Sequence, residues 1–472
     1  MSENRIRTDI CVIGAGSGGL SVAAGAVQMG ARTVLIERGR MGGDCLNYGC
    51  VPSKSLLAAA RTADAIRRAD RFGIGATEPA VDFARVNDHV RDVIAGIAPH
   101  DSVERFEGLG VRVIRDAARF IGPDCLTAGG VTVTARRFVL ATGSRAAKPA
   151  LPGLDEVPFL TNETLFELRT APAHLIVIGG GPIGIEMAQA HRRLGCKVTL
   201  IQRSAILPKD DPELVGMVRH RLVADGIDLR EQAEIRRVER LGSGVAVVLA
   251  DGARIEGSHL LIAAGRHANV EDLGLEAAGI EYSDKGVRTD ARLRTTNRRI
   301  FAVGDVAGGP QFTHVAGYHA GIVIRNALFR LPAKVDYAAL PWVTYSDPEL
   351  AQVGLTEAQA RDVHGAVRVL RWGFADNDRA RTERETDGLV KVVTRPNGRI
   401  LGASIVGAHA GELIQIWGLA ISGKLKIGAL AGMIAPYPTL GEAGKRAAGS
   451  FFTPTLFGAR TRALVRALSW FG

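Results

Sequence analysis

Cysteine and aromatic residues are both scarce in this sequence. Its 472 residues include five cysteines, and phenylalanine, tryptophan and tyrosine together make up 5%. So few cysteines in so long a chain exclude a disulfide-stapled scaffold and favour a reducing compartment, where a disulfide would be catalytic rather than structural. The scarcity of aromatic residues and the lack of any run of five like charges argue against a nucleic-acid-binding platform.

Long hydrophobic runs are missing as well. A bilayer-spanning helix needs about 18 consecutive apolar residues, and the longest candidate, residues 427–441, is interrupted by Pro436 and Pro438. The opening sequence MSENRIRTDICVIG leads from polar residues straight into an apolar strand and has no signal-peptide core. We therefore expect a cytoplasmic protein.

The remaining composition is that of a globular protein. Hydrophobic residues make up 46% and charged residues 23%, which excludes the disordered and fibrous classes. The length predicts roughly three domains of ~150 residues. The formal net charge of +10 favours an anionic partner. A phosphate-bearing cofactor, a nucleic acid or a membrane surface would each satisfy it.

Glycine is the residue present in excess, with 57 in the chain. Many fall in two similar stretches about 165 residues apart, each an apolar strand, a glycine turn, a small-residue helix and a second strand. Each stretch predicts a βαβ unit whose glycine turn opens a helix N-terminus. A strand and a Gly-containing exit follow each unit, near Ala150 and near Asn269. From about Ala333 the pattern changes to strands with a hairpin at residues 396–398, then helices, which predicts a separate α+β domain.

The first unit carries the pattern of an adenine-dinucleotide site. Gly14, Gly16 and Gly19 would let the backbone approach a pyrophosphate at a helix N-terminus. Glu37 lies 23 residues after Gly14 at the end of the second strand, where a carboxylate can accept a ribose hydroxyl. A solvated strand-end charge is the alternative interpretation of Glu37.

The second unit differs at the acidic position. Its glycines are Gly179, Gly181 and Gly184, and the residue at the same offset of 23 is Gln202, followed by Arg203 and later by Lys209. A carboxylate there would repel a 2′-phosphate, whereas arginine and lysine attract it. This pattern favours NADPH over NADH, although solvated strand-end charges would look similar.

The most specific motif is MGGDCLNYGCVPSK, residues 41–54, in which Cys45 and Cys50 are five positions apart. On a regular helix five residues rise ~7.5 Å, more than the Cα separation that a disulfide tolerates. A bridge would therefore need a distorted first helical turn, which Gly49 would ease. A zinc site would need two more ligands, but the other cysteines, Cys11, Cys125 and Cys196, lie on separate predicted strands or turns. A structural disulfide is the remaining alternative.

Together these motifs resemble the class I pyridine nucleotide-disulfide oxidoreductases, the family of dihydrolipoyl dehydrogenase, glutathione reductase and mercuric reductase. The resemblance covers essentially the whole chain and rests on GAGSGG, CLNYGCVPSK, ATGSRA, GGGPIGIEMA, AAGRHAN, FAVGDV and YPTLGE. It implies an α/β homodimer with two Rossmann-like dinucleotide-binding domains, one inserted in the other, and a C-terminal α+β dimerisation domain. The corresponding boundaries are 1–150 and 271–333 for an FAD domain, 151–270 for an NAD(P) domain, and 334–472 for the interface domain with a basic tail.

The resemblance also implies roles for individual residues. Lys54 would lie beside the flavin, paired with Glu186 of the second unit's helix, and Asp305 would bind the ribityl or pyrophosphate portion of FAD. Cys50 would be the thiolate nearest the flavin, and Cys45 the thiol that exchanges with substrate; nearby cationic charge would lower a thiol pKa toward neutrality. Further cofactor positions in these motifs are Gly43, Thr142, Gly143 and Gly265.

One departure from the family concerns its catalytic base. Thiol reductases of the family end in His-Pro-Thr-x-x-Glu, whose histidine reaches across the dimer. Here Pro438, Thr439 and Glu442 match, but Tyr437 replaces the histidine. Because a tyrosine of pKa ~10 is no base at neutral pH, lipoamide or glutathione turnover is expected to be slow. The tyrosine is similar to the mercuric-reductase-like branch, yet no cysteine follows Cys196 to receive a metal.

The function predicted from the sequence is therefore an NAD(P)H oxidoreductase that passes electrons through FAD and Cys45–Cys50 to a small-molecule or protein disulfide, or to another acceptor. A metal ion or quinone reductase is one alternative, and a flavin-bound redox sensor or scaffold is another. His314 is a candidate substitute for the base, with a locally bonded helix-start residue as the alternative. His319 lies in the same QFTHVAGYHAG segment, and His409 is expected to be structural.

The segment after Glu442 is basic and contains no acidic residue. Five apolar residues share one arc of a helical wheel, and Arg462 and Arg466 lie outside it, while Arg460 interrupts it; the five are Leu456, Leu464, Ala467, Leu468 and Phe471. This weak basic amphipathic helix is compatible with peripheral contact to a membrane surface. Packing onto its own dimer is the alternative.

Overall fold

The first third of the chain forms a doubly wound sheet that holds the first glycine turn. The computed structural model describes residues 4–471. The elements of this part are β1 Arg5–Ile13, α1 Ser17–Gln28, β2 Thr33–Ile36, α2 Gly43–Asn47, α3 Cys50–Arg67, α4 Phe83–Ile97, α5 Val103–Gly108, β3 Arg112–Ile114, β4 Arg119–Gly122, β5 Cys125–Ala128, β6 Val131–Leu140 and β7 Ser144–Ala146. The sheet order is β3-β2-β1-β6-β5-β4, and the first four of these strands run parallel. The carboxyl end of β1 therefore opens directly into the glycine turn before α1, where nucleotide-binding sheets place their ligand.

The second part repeats this arrangement on a smaller scale. Its elements are β8 His174–Ile178, α6 Pro182–Arg193, β9 Lys197–Ile201, α7 Pro212–Ala224, β10 Asp228–Arg230, β11 Ile235–Leu241, β12 Gly244–Leu249, β13 Arg254–Gly257, β14 His259–Ile262 and β15 Arg266–Ala268. The parallel sheet runs β10-β9-β8-β14, and β11, β12 and β13 form an antiparallel sheet of three strands. β7 and β15 pair antiparallel, so the exit from the first part and the exit from the second lie side by side.

The chain then returns to the first sheet. The next elements are β16 Tyr282–Ser283, β17 Gly286–Val287, β18 Ile300–Ala302 and α8 Thr313–Ala327. β18 pairs parallel with β6, next to β1. The second unit is therefore inserted between two segments that share one sheet. The boundaries at 150, 270 and 333 stay predictions.

The last part is built on an antiparallel sheet. Its elements are β19 Pro341–Thr344, β20 Glu349–Gly354, α9 Glu357–His364, β21 Arg368–Gly373, α10 Asp378–Thr382, β22 Leu389–Thr394, β23 Ile400–Gly407, α11 Ala410–Leu413, α12 Gln415–Ser422, α13 Ile427–Gly432, α14 Gly441–Ser450, α15 Thr453–Leu456 and α16 Ala459–Leu468. The sheet order is β19-β20-β23-β22-β21. β22 and β23 form the expected hairpin around residues 396–398, and the buried Trp417 packs in the core that this sheet makes with its helices.

Among residues 4–471, no helix is long and apolar enough to cross a membrane.

Candidate active site

The turn between β1 and α1 is closed by backbone contacts that exclude side chains. Gly14 has φ +103°, and a Cβ there would lie 2.4 Å from the carbonyl oxygen of Ala141. Gly43 has φ +60°, and its Cβ would lie 2.6 Å from the Cα of Gly16. The start of α2 therefore presses backbone to backbone against the glycine turn, which leaves N–H groups at the start of α1 open to a diphosphate.

Glu37 lies beside this turn, at the end of β2. Its Oε2 accepts a hydrogen bond from the Ala15 N–H at 2.6 Å, and its Oε1 accepts from the Gly39 N–H at 2.6 Å. The carboxylate is thus held by two backbone donors at the edge of the cradle. That is the position from which an acid can reach a ribose hydroxyl.

The second glycine turn has the same construction with an amide in place of the acid. Gly179 has φ +118°, and a Cβ at Gly184 would lie 1.8 Å from the Gly179 carbonyl oxygen. Gln202 Oε1 accepts from the Gly180 N–H at 2.8 Å, as Glu37 accepts from Ala15 in the first unit. Arg203 follows Gln202 directly and Lys209 lies six residues further along the chain, and both side chains are exposed. The second unit therefore has no carboxylate at the position of Glu37 and has two cations in the segment that follows it.

The two motif cysteines lie on different helices. α2 ends at Asn47 and α3 begins at Cys50, so the chain breaks between them rather than continuing as one distorted helical turn. The break is tight, since a Cβ at Gly49 would lie 3.0 Å from the Asp44 carbonyl oxygen. It brings the thiols of Cys45 and Cys50 into a hydrogen bond. Both cysteines are free thiols here, so the distortion expected for a disulfide stays a prediction, and Gly49 lies at the corner between the two helices.

The two thiols differ in acidity. The hydrogen bond from Cys45 lowers the pKa of Cys50 to about 6, helped by a hydrogen bond with Thr313 and by the positive charge of Lys54. The Thr313 Oγ1 lies 3.3 Å from the Cys50 sulfur. The pKa of Cys45 is raised, because that thiol donates to Cys50 and is partly buried. At neutral pH the pair therefore consists of a Cys50 thiolate and a Cys45 thiol.

Lys54 and Glu186 form the ion pair that the family resemblance implies. Lys54 Nζ lies 2.8 Å from Glu186 Oε2, and the Glu186 side chain is 4% exposed. The other oxygen, Oε1, accepts from the Tyr345 N–H at 2.9 Å. The ammonium also lies 4.5 Å from the centre of the Tyr345 ring, within reach of a cation–π attraction. α3, α6 and the start of the last domain meet at this point.

Asp305 belongs to a second polar network near the cysteines. Its Oδ2 accepts from the Ser144 hydroxyl at 2.5 Å, and burial raises the pKa of this carboxyl. Arg266 Nε donates to the Ser144 Oγ at 2.7 Å, and Arg266 Nη2 lies 3.1 Å from Asp44 Oδ2. The network runs from Asp305 to the residue before Cys45, so the FAVGDV motif and the cysteine motif are connected.

The remaining motif positions frame the exits of the two units. The Thr142 hydroxyl donates to the Asn269 carbonyl oxygen at 2.7 Å, and the Asn269 amide donates back to the Thr142 carbonyl at 2.9 Å. Gly143 has φ +68° and Gly265 has φ +129°, conformations that favour glycine. Both exits therefore turn sharply where the units join.

Tyr437 and Glu442 lie on the last domain. The Tyr437 hydroxyl donates to Asp378 Oδ2 at 3.2 Å, and the side chain is 70% exposed. The charge of Asp378 raises the pKa of Tyr437, so it stays a neutral donor. Among the described residues of one protomer, neither Tyr437 nor Glu442 forms a hydrogen bond or ion pair with the cysteines.

Two histidines follow the FAVGDV motif, and they form different hydrogen bonds. His319 is buried and bonded on both nitrogens, accepting from the Gly304 N–H at 3.1 Å and contacting the Tyr337 hydroxyl at 2.7 Å. His314 Nε2 donates to the Pro341 carbonyl oxygen at 2.9 Å. Its partner lies 27 positions away, so the bond is not local. His409 is the N-cap residue that precedes α11 in the last domain.

Sequence reasoning missed several residues of this site. Tyr345 lies far from the cysteines in the chain, and no motif points to it. Thr313 lies in the QFTHVAGYHAG segment, where only the histidines were singled out. Asp44 and Arg266 lie within MGGDCLNYGCVPSK and AAGRHAN, but nothing in the sequence connects them to each other. The described residues contain no group of three or more histidine, cysteine or acidic side chains that could hold a metal ion.

Comparison with known proteins identifies the family. Residues 8–320 match the pyridine nucleotide-disulphide oxidoreductase family and residues 340–448 match its dimerisation domain. The chain is 38% identical over 454 residues to a mercuric reductase of Streptomyces lividans, covering 94% of this chain and 96% of that protein. It is 35% identical over 452 residues to a dihydrolipoyl dehydrogenase of Bacillus subtilis, covering 93% and 95%.

Solved structures give the same result. The Cu(II) complex of the HOCl-induced flavoprotein disulfide reductase RclA from Escherichia coli superposes with a TM-score of 0.85 at 28% identity, covering 93% of this chain and 99% of that one. LpdA from Mycobacterium tuberculosis superposes with a TM-score of 0.86 at 27% identity, covering 94% and 99%. The chain belongs to the pyridine nucleotide-disulphide oxidoreductase family and is an NAD(P)H-dependent flavoprotein oxidoreductase. The dimerisation domain supports a homodimer.

Proposed function

We propose that this member of the pyridine nucleotide-disulphide oxidoreductase family reduces a thiophilic metal ion with electrons from NADPH, and that Cys45 and Cys50 receive the ion. The observation that carries the proposal is the protonation state of the thiol pair together with the residue at position 437. Cys50 has a lowered pKa, Cys45 has a raised one, and Tyr437 stands where the family's base would be.

Reduction of a disulfide needs proton transfers for which the thiol pair and Tyr437 provide no general base. The attacking thiol must lose its proton and the leaving thiolate must gain one, which is the work of a general acid–base. Cys45 is protonated at neutral pH, and Tyr437 is a neutral donor whose pKa is raised further by Asp378. Loss of such a base typically costs ~10²–10⁴-fold in rate.

A thiophilic metal ion avoids that requirement. A coordinating thiol is deprotonated by the metal itself, because the ion competes directly with the proton for the sulfur lone pair. Cys50 offers a thiolate at once, and Cys45 releases its proton to solvent on binding. The pair therefore takes up a soft ion without a neighbouring base. Mercuric reductases among the relatives and the Cu(II) complex of RclA support this acceptor class.

The electrons balance without a further reactant. NADPH gives up two electrons and one proton on becoming NADP⁺. One Hg(II) ion takes both electrons, or two Cu(II) ions take one each.

The glycine cradle fits FAD, since backbone alone fills the space between Gly43 and Gly16. Glu37 and Asp305 would hold its ribose and its ribityl or pyrophosphate portion. FAD, when bound, supplies the two-electron relay between nicotinamide and cysteines. At the second turn, Arg203 and Lys209 would hold the 2′-phosphate of NADPH.

A second candidate function is reduction of a small disulfide with His314 as the proton-transfer group. The observation in its favour is that His314 adjoins Thr313, whose hydroxyl contacts Cys50. Its Nε2 is engaged with the Pro341 carbonyl, so Nδ1 would have to act.

The test is anaerobic NADPH oxidation with a panel of acceptors: thiol-complexed Hg(II), Cu(II) held by an amine ligand without added thiol, lipoamide, glutathione disulfide and a water-soluble quinone. We expect metal turnover to exceed disulfide turnover by at least about tenfold, and to disappear in Cys45→Ser. Faster disulfide turnover would favour the second candidate, which His314→Ala should then abolish. Quinone turnover that persists in Cys45→Ser would show that electrons leave without the cysteines.

A further inference from the structure

An exposed segment follows the matched dimerisation domain. That domain ends at residue 448, and α15 and α16 lie beyond it. The start of the segment is fixed, because Phe451 is buried and its carbonyl oxygen accepts from Arg368 Nη2 at 2.7 Å. The Arg368 guanidinium also lies 3.8 Å from the centre of the Phe451 ring. We call residues 453–471 the tail segment.

The tail segment exposes large apolar side chains. Within one protomer, no residue of α16 is buried. The apolar residues of the segment with exposed fractions between 56% and 88% are Leu456, Phe457, Leu464, Val465, Leu468, Trp470 and Phe471. So many adjacent apolar side chains on one short segment mark an interaction surface.

The charge of the tail segment has one sign. The sequence contains no aspartate or glutamate after Glu442, whereas Arg460, Arg462 and Arg466 all lie in α16. All three arginines are exposed, and within residues 4–471 none takes part in an ion pair. The segment therefore presents uncompensated positive charge beside its apolar residues.

The two kinds of residue occupy different sides of α16. At 100° per residue, Leu464, Val465 and Leu468 fall within one arc of α16, and Arg462 and Arg466 fall outside it. Arg460 lies next to that arc, and Trp470 and Phe471 follow the helix. An apolar stripe with flanking arginines and aromatic side chains is the pattern of a helix that lies in a membrane interface.

Either a second copy of the tail segment or a membrane could cover the apolar side chains of α16, but the positive charge of the arginines favours the membrane. A second copy of this segment would add three more arginines and no acidic residue, so the positive charge would stay uncompensated. The segment also lies outside the part of the chain that matches the dimerisation domain. An anionic lipid surface satisfies both the apolar residues and the arginines. We propose that the tail segment docks the enzyme on an anionic membrane surface, with α16 in the plane of the interface.

The test uses the full-length holoenzyme and vesicles. Flotation with phosphatidylcholine vesicles, with and without about one third phosphatidylglycerol, measures binding at low and physiological salt. We expect binding to the phosphatidylglycerol vesicles only, weakened by salt. Arg462→Gln together with Arg466→Gln should weaken it on the order of 10–30-fold. Arg236→Gln with Arg240→Gln is the matched control, since these exposed arginines lie on β11, and it should bind like the wild type.

Further measurements distinguish docking on a membrane from packing on a second copy of the chain. Trp470 fluorescence should shift to the blue on binding, and Trp470→Phe should lose that shift. Leu464→Ser with Leu468→Ser should abolish binding while leaving the dimer mass and NADPH oxidation unchanged. The proposal is overturned by equal binding to both vesicle types, by no binding at low salt, or by loss of the dimer in Leu464→Ser with Leu468→Ser. The last result would show that the segment packs on a second copy.

Discussion

Lys54 Nζ lies 2.8 Å from Glu186 Oε2, and this contact joins the cysteine-bearing helix α3 to the helix of the second dinucleotide unit. Glu186 is buried and bonded on both oxygens, to Lys54 and to the Tyr345 backbone N–H. The ammonium thereby stays within electrostatic range of Cys50, whose pKa it helps to lower. The position of one carboxylate therefore affects the reactivity of the thiol pair.

Breaking this pair should cost stability as well as activity. Lys54→Met leaves the buried Glu186 carboxylate without its cation, which costs ~3–5 kcal/mol for a fully buried pair. Lys54 is 37% exposed, so we expect a smaller loss, about 1–3 kcal/mol. Denaturant unfolding of the holoenzyme measures it. Arg169→Met, which breaks the surface pair with Asp88, is the control and should lose less than about 1 kcal/mol.

Cys50 should titrate below the ordinary pKa of a thiol even without Cys45, because Thr313 and Lys54 also stabilise its thiolate. In Cys45→Ser holoenzyme, which lacks the thiol that contributes most to the lowered pKa, the long-wavelength absorbance of a thiolate beside oxidised flavin should appear without reductant as the pH rises, with a midpoint above 6. Thr313→Val removes a donor that stabilises the thiolate, so the midpoint should move upward by about one pH unit. Thr62→Val, a matched change on the exposed side of α3, should leave it unchanged. No band in either protein would contradict the assignment of Cys50.

Gly43→Ala should impair FAD binding. The new Cβ would meet the backbone of Gly16 at 2.6 Å, which opens the cradle, and φ +60° is strained for alanine. We expect FAD affinity to fall by at least about tenfold, a loss on the order of 1.4 kcal/mol, measured from flavin absorbance per protein during dilution. Gly75→Ala has open space around its Cβ and should retain FAD. If Gly43→Ala bound FAD as well as the wild type, the close approach of Gly43 to Gly16 would not be part of the FAD site.

Arg203→Glu tests the nicotinamide preference. If Arg203 binds the 2′-phosphate, the change should raise the KM for NADPH by ~10–150-fold, the equivalent of about 1.5–3 kcal/mol for a charge-assisted contact. The KM for NADH should barely move. Arg236→Glu, an exposed arginine outside the second glycine turn, is the control. If NADPH and NADH were used equally well before and after the change, Arg203 would be a solvated charge with no part in binding the 2′-phosphate.

The sequence was sufficient for features that depend on local geometry. Both glycine turns could be predicted, because Gly14 and Gly179 follow strand ends at positive φ, where a Cβ would meet backbone. The Lys54–Glu186 pair followed from family resemblance alone. Tyr345 and Thr313 could not be predicted, since their contacts join segments more than 150 positions apart. The sequence placed Gly49 at the point where the backbone departs from a regular helix, but it did not show that α2 ends at Asn47 before α3 begins at Cys50, since helix periodicity does not show where one helix stops and another begins.

The most direct test of the metal-ion proposal is the ratio of metal to disulfide turnover in wild type, Tyr437→His and Tyr437→Phe. A histidine beside Glu442 restores a group of pKa ~6.5, so disulfide turnover should rise by up to ~10²-fold. Metal turnover should fall in both variants, if the Tyr437 hydroxyl donates to the acceptor complex. We expect a wild-type ratio of metal to disulfide turnover well above one, and a ratio below one in Tyr437→His. A wild-type enzyme that reduces disulfides faster than metal ions, with Tyr437→Phe unchanged, would contradict it.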